Sequence, residues 1–212
     1  MTDPTPTPPI VRTLGDVLRL SEPRPGDEAR DVEKRTYATR FADNMARCIA
    51  NALRDRFPGI LPDETGRGTE SPARSVRGPK KLDVNYSTVQ LGLGLGISLK
   101  SVHFRDASAP KRYTHNMKRN DEELRVEASG YHQRQPFAVM VGVVFLPFDS
   151  CDDARGTNPS SFGAWVRYLR PLGGRDDPHD DIARFEKVFI GLYDPAGTKM
   201  EFFDVEKAPP RA

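Results

Sequence analysis

The sequence predicts an α/β domain in which a mixed central sheet is flanked by helices. Three stretches carry that expectation. FAVMVGVVF, from Phe137 to Phe145, is apolar at almost every position, as a strand covered on both faces must be. Within KKLDVNYSTVQLGLGLGISLK, from Lys80 to Lys100, Leu82, Val84 and Tyr86 alternate with Asp83, Asn85 and Ser87 at the period of a half-buried strand. From Arg40 to Phe57, the residues Phe41, Met45, Cys48, Ile49, Ala52 and Leu53 follow the spacing of one buried helical stripe. Strand, helix, strand in that order implies a crossover, right-handed by the usual rule.

The 212 residues suit one domain of ordinary size with tails, placed at 27–205 with flanking segments 1–26 and 206–212. Residues 1–9, MTDPTPTPP, lack the amide donors and backbone freedom of a packed element. Ile10, Leu14, Val17 and Leu18 form a short docking helix within Ile10–Leu20, and the prolines and glycine of Ser21–Gly26 break it. The long helix builds from about Asp27 and stops at Pro58-Gly59, with Asp43, Asn44, Arg47, Asn51, Arg54 and Asp55 on its solvated face. Pro62 to Pro79 reads as a polar, cationic loop. Two strands follow, Leu82–Ser87 and Leu95–Leu99, joined by a glycine-rich turn. Gly92, Gly94 and Gly96 give G-x-G-x-G followed by an extended run, which excludes a dinucleotide fingerprint leading into a helix.

After a polar linker, a second helix is expected from about Asn120 to Gln133, with Asn120 as N-cap, Glu123 completing a capping box, and a narrow stripe of Leu124, Ala128 and Tyr131. The central strand Phe137–Phe145 comes next. A helix over Ser161–Leu169 turns Phe162, Trp165, Val166 and Leu169 inward, a charged loop holds Asp176, Asp177, Asp180 and Asp181, and a short helix is expected near Ile182–Lys187. Strands Val188–Tyr193 and Lys199–Val205 close the domain around Asp194-Pro195-Ala196-Gly197.

The chemistry gathers on the first strand pair. Ser98 and Lys100 share a face that Ile97 and Leu99 avoid, so pairing the strands sets Asp83, Ser98 and Lys100 side by side. An acid and an amine within a sheet read either as a cross-strand ion pair or as a site. Glu70 is the carboxylate of the preceding loop that can fold back toward Asp83. Lys111, Arg112, Lys118, Arg119, Arg125 and Arg134, interleaved with Tyr113 and Tyr131, form the densest basic cluster, and Lys80 and Lys81 lead into Asp83; both groups suit a nucleic-acid groove or a solvated surface. His103, His115, His132 and His179 lack ligand spacing and read as surface or loop residues. The net charge of +2 gives no bulk affinity for polyanions. Cys48 and Cys151 form no disulfide or metal pattern, no signal-peptide run is present, and the longest apolar run is too short to span a bilayer, so a cytoplasmic protein without membrane attachment is expected.

The order helix, Asp-bearing strand, S-x-K strand, helix, apolar strand resembles the PD-(D/E)XK nuclease superfamily of restriction and phage-defence endonucleases over roughly Arg40 to Pro147. The resemblance implies a restriction-endonuclease-like α-β-β-β-α-β core. It matches Asp83 to the metal-binding Asp and Lys100 to the catalytic Lys. Ser98 stands where the superfamily has Asp or Glu, and Pro79 lies four positions before Asp83 instead of directly before it. Relatives with S-x-K recruit a carboxylate from the following helix, where Glu122, Glu123 and Glu127 are available. The implied activity is Mg²⁺- or Mn²⁺-dependent DNA cleavage in restriction or phage defence. The metal would lie between Asp83 and either Glu70 or Glu123; Lys80, Lys81, Lys111, Arg112, Lys118 and Arg119 would lie along the DNA; partner subunits or a homodimer are in keeping with the role. The Ser98 departure equally suits a catalytically inactive DNA-binding or scaffolding subunit, and the near-neutral charge a small adaptor without a nucleic-acid role.

Overall fold

In the computed structural model, described over residues 9–75, 78–106 and 111–207 with backbone alone for 72–75 and 78–80, the chain is an α/β layer structure on a five-stranded mixed open sheet. Helix α1 (Leu14–Ser21) starts at Thr13, whose hydroxyl accepts from Asp16 N while the Asp16 carboxylate accepts from Thr13 N, satisfying two end amides reciprocally. Its Val11, Leu14, Val17 and Leu18 side packs onto α2 (Asp31–Leu53). That contact corrects the polar face expected for α2. Asn44 is buried because α1 lies over it, with its amide 3.3 Å from Ser21 Oγ, whereas Ala52 near the helix end is exposed.

Strands β1 (Ser71–Ser75) and β2 (Gly78–Leu82) form an antiparallel hairpin where the sequence suggested a loop. The chain then bends at Asp83 and continues as β3 (Val84–Thr88), which pairs antiparallel with β4 (Gly92–Ser101). The glycines of LGLGLG belong to β4 rather than to the connection, which is Val89-Gln90-Leu91. The register slips between Tyr86 and Ser87, leaving Gly94 as the extra residue opposite them. One added residue inverts the alternation, so Leu93 faces one layer while Leu95, Ile97 and Leu99 face the other.

Helix α3 (Met117–His132) carries the chain to β5 (Val139–Pro147), parallel to β4. It begins a turn earlier than Asn120: its N-cap is Asn116, in the left-handed region at φ 57°, a conformation asparagine tolerates better than most residues. Strand β5 is central, as its two-sided apolar pattern requires, with α2 on one side and α3 and α4 (Ser161–Leu169) on the other. Trp165 is fully buried and its indole N–H donates to Tyr113 O at 2.7 Å, which ties α4 to the 111–116 segment.

No helix forms near Ile182–Lys187. That segment is held instead by a partly buried polar network, in which the Glu186 carboxylate accepts from Met140 N at 2.6 Å and pairs with the buried Arg175, with buried His132 at 3.3 Å. Two histidines thus depart from the surface placement expected of all four: His103 and His132 are buried, His115 and His179 exposed. Strands β6 (Lys187–Tyr193) and β7 (Met200–Asp204) complete the sheet in the order β3-β4-β5-β6-β7, parallel at its centre and antiparallel at both ends. Two apolar layers clamp it, each large buried side chain contributing ~1.5–3 kcal/mol. Among the described residues, no helix is long and apolar enough to cross a membrane.

Candidate functional site

The site lies on the α3 side of the β3–β4 pair. Val84 opposes Ile97, which puts Asp83 level with Ser98, and period-two alternation along β4 then brings Lys100 onto the same face. Glu123 and Glu127 stand four residues apart on α3, hence on one side of the helix, and reach down to β4. Lys100 Nζ lies 3.0 Å from Glu127 Oε1 and 3.3 Å from Glu123 Oε2. The other Glu127 oxygen accepts a short hydrogen bond from the Ser98 hydroxyl. Asp83 Oδ2 accepts from Leu99 N at 2.6 Å.

Burial sets the electrostatics. It pushes the Asp83 carboxyl up to about 6, the Glu127 and Glu70 charges adding to the rise, against the lowering by the Leu99 N–H and the Lys100 ammonium. Lys100 is held above its ordinary value: its side chain keeps only 17% exposure, yet the charges and hydrogen bond of Glu127, with Glu123 and Asp83 behind, outweigh the loss of solvent. The arrangement is an ammonium held between carboxylates beside an acid that retains its proton into the weakly acidic range. Such a pocket can accept a cation or move a proton.

Some of the residues expected at the site converge and others do not. Asp83, Ser98, Lys100 and Glu123 are together, and Glu127, one of three glutamates available on the helix, is the carboxylate in the middle. Glu123 is shared, since Arg119 Nε sits 2.8 Å from its other oxygen. Glu122 points away, 3.7 Å from Lys118 Nζ. Glu70 opens β1 at φ 53° with its carboxylate 2.7 Å from Lys81 Nζ, so only its charge reaches Asp83. Lys111 pairs with Glu28 at 2.6 Å and Arg112 lies 3.9 Å from Asp153, close to Pro159 O; the Lys80 side chain lies outside the described residues. Tyr113 and Tyr131, expected to interleave with the basic cluster in a nucleic-acid groove or on a solvated surface, are both buried. Their packing serves the core beneath α3 and α4 and offers no ring to a groove.

As a test for a divalent ion, the donor set is of the right chemistry, hard carboxylate oxygens of Asp83 and Glu127 with the Ser98 hydroxyl on Glu127, the kind of sparse set Mg²⁺ takes while keeping several waters. Among the described residues, no three acidic, histidine or cysteine side chains are grouped to hold a metal on their own. Compared with known proteins, the chain matches no family model, no curated protein and no solved structure.

Proposed function

We propose that the chain is a metal-dependent endonuclease that hydrolyses phosphodiester bonds in DNA, with Asp83 and Glu127 as the ligands of Mg²⁺ or Mn²⁺ and Lys100 beside the scissile phosphate. The observation that carries this reading is the convergence of Asp83, Ser98, Lys100 and Glu127 on one face of the sheet, with Glu127 brought by the helix that follows the S-x-K strand. The element order supports it. With β2 and β3 taken as one strand bent at Asp83, the series α2, β1, β2/β3, β4, α3, β5 has the α-β-β-β-α-β order of the PD-(D/E)XK core.

A divalent ion bound there supplies charge that polarises a phosphoryl oxygen and acidifies a coordinated water. Asp83, ionised above about pH 6, contributes one oxygen while Leu99 N–H fixes the orientation of the other. Glu127 would hold the ion, and Glu123 would remain to neutralise and aim the Lys100 ammonium, which would stabilise the charge that builds on the phosphate in the transition state. Restriction or phage defence, with partner subunits, is the setting this activity suits.

A second reading is favoured by one specific feature: Glu127 is already satisfied by Ser98 and Lys100, so the cluster is closed without a cation and can serve to fasten α3 to the sheet in a non-catalytic subunit. Incubation with plasmid, single-stranded DNA and RNA in Mg²⁺ or Mn²⁺ separates the two. The nuclease reading expects cutting by the parent, and loss of about two orders of magnitude or more in Asp83→Asn, Lys100→Met and Glu127→Gln. A parent that cuts none of these substrates overturns it, and salt-dependent gel shifts by that same parent support the second reading.

A further inference from the structure

Helix α3 presents more to β4 than its two glutamates. Glu123, Glu127 and Tyr131 recur at intervals of four, so Tyr131 is the next residue along the side that meets Lys100 and Ser98. It is also where that acidic row joins the apolar stripe of Leu124 and Ala128, and its ring is fully buried in the same cluster as Leu82, the residue before Asp83. Strand β4 is approached closely at this level: a Cβ at Gly96 would lie 2.7 Å from Met140 Sδ and 2.9 Å from Leu82 Cδ1.

The Tyr131 hydroxyl has no hydrogen-bond partner among the described residues. A buried phenol left so is destabilising, and such groups call for a specific reason. Its neighbours supply one. Burial and the Glu127 and Asp83 charges raise its pKa, so the phenol stays protonated and keeps a proton to donate.

We propose that Tyr131 is a positioning residue for a hydrated divalent cation, its hydroxyl donating to a water or carboxylate oxygen of the Asp83–Glu127 site. This rests on the metal-dependent reading of that site. Outer hydrogen bonds of this kind orient the ligands of a metal, and their removal typically weakens binding about 10- to 100-fold.

The test is Mn²⁺ titration of the intact chain, with free Mn²⁺ read by electron paramagnetic resonance, comparing the parent, Tyr131→Phe and Tyr37→Phe. Tyr37 is the control: it too is buried, but it packs against His103 and Phe41 on the opposite side of the sheet. Thermal unfolding in EDTA establishes that each variant is folded, as both keep the ring. The expected result is weaker Mn²⁺ binding by about 10- to 100-fold in Tyr131→Phe alone. Equal affinity of parent and Tyr131→Phe, or the same loss in Tyr37→Phe, overturns the positioning role and leaves the metal site standing. A parent that binds no Mn²⁺ overturns both.

Discussion

Asp83 holds its proton up to about pH 6 because burial costs its anion more than the Leu99 N–H and the Lys100 ammonium return. A folded value above the ordinary 3.8 means that the native chain binds more protons than the unfolded one between about pH 4 and 6. The stability contributed by the neutral acid is complete below that ordinary value and lost as the pH rises through about 6. Replacing Asp83 by Asn keeps an acceptor for Leu99 N and removes the ionisation. The variant is expected to be more stable than the parent at pH 7, by on the order of 2 kcal/mol, and equal to it near pH 3, as read from urea unfolding at the two pH values. A stability gain that does not depend on pH would contradict the buried charge as its cause. That Asp83 and Lys100 share a face was legible because a period of two fixes which side chains do so. Glu127 was only one of three glutamates available on the helix, Glu70 and Glu123 being the ones expected at the metal, and the choice needed the helix start. With Asn120 as cap, Glu123 is absorbed into a capping box; with the start at Asn116, it stands mid-helix and meets Lys100.

At the scale of elements, the junction of α3 with β4 depends on what β4 lacks as much as on what it carries. The glycines of LGLGLG signal a tight connection by composition, and the sequence alone does not distinguish that from a strand pressed by its neighbours. Gly96 is the second case, since Met140 and Leu82 fill the space a side chain would take. Gly96→Ala is expected to destabilise the fold by about 1–3 kcal/mol through overpacking. Gly142→Ala, in the adjacent strand, meets nothing nearer than 3.7 Å and is expected to leave stability within about 0.5 kcal/mol, so the difference between the two midpoints in denaturant isolates the steric effect. The long helix, the central strand and α4 were legible from periodicity because each buries an uninterrupted stripe. The β1–β2 hairpin and the 173–186 segment were not. Their order comes from cross-strand pairing and from the Arg175–Glu186 contact between parts of the chain that local pattern does not connect.

Over the whole molecule, the mixed sheet is the cooperative unit. Strands β5 and β6 are paired on both edges and covered by both apolar layers, while the β1–β2 hairpin forms its own two-stranded sheet. Amide hydrogen exchange is expected to be slowest in β5 and β6, at the global unfolding free energy, and faster in β1 and β2 by local opening. Equal protection throughout would show the hairpin to be part of the central unit. The overall charge of +2 goes with local pairing among the described residues, where Lys81, Lys111, Lys118 and Arg119 each face a carboxylate. The bend at Asp83 joins the hairpin to the central sheet. The polypeptide exchanges one main-chain companion for another there, and the acid is moored to the sheet by a single amide. Asp83 is thus the joint between two sheets, and any displacement of one against the other is felt first at its carboxylate.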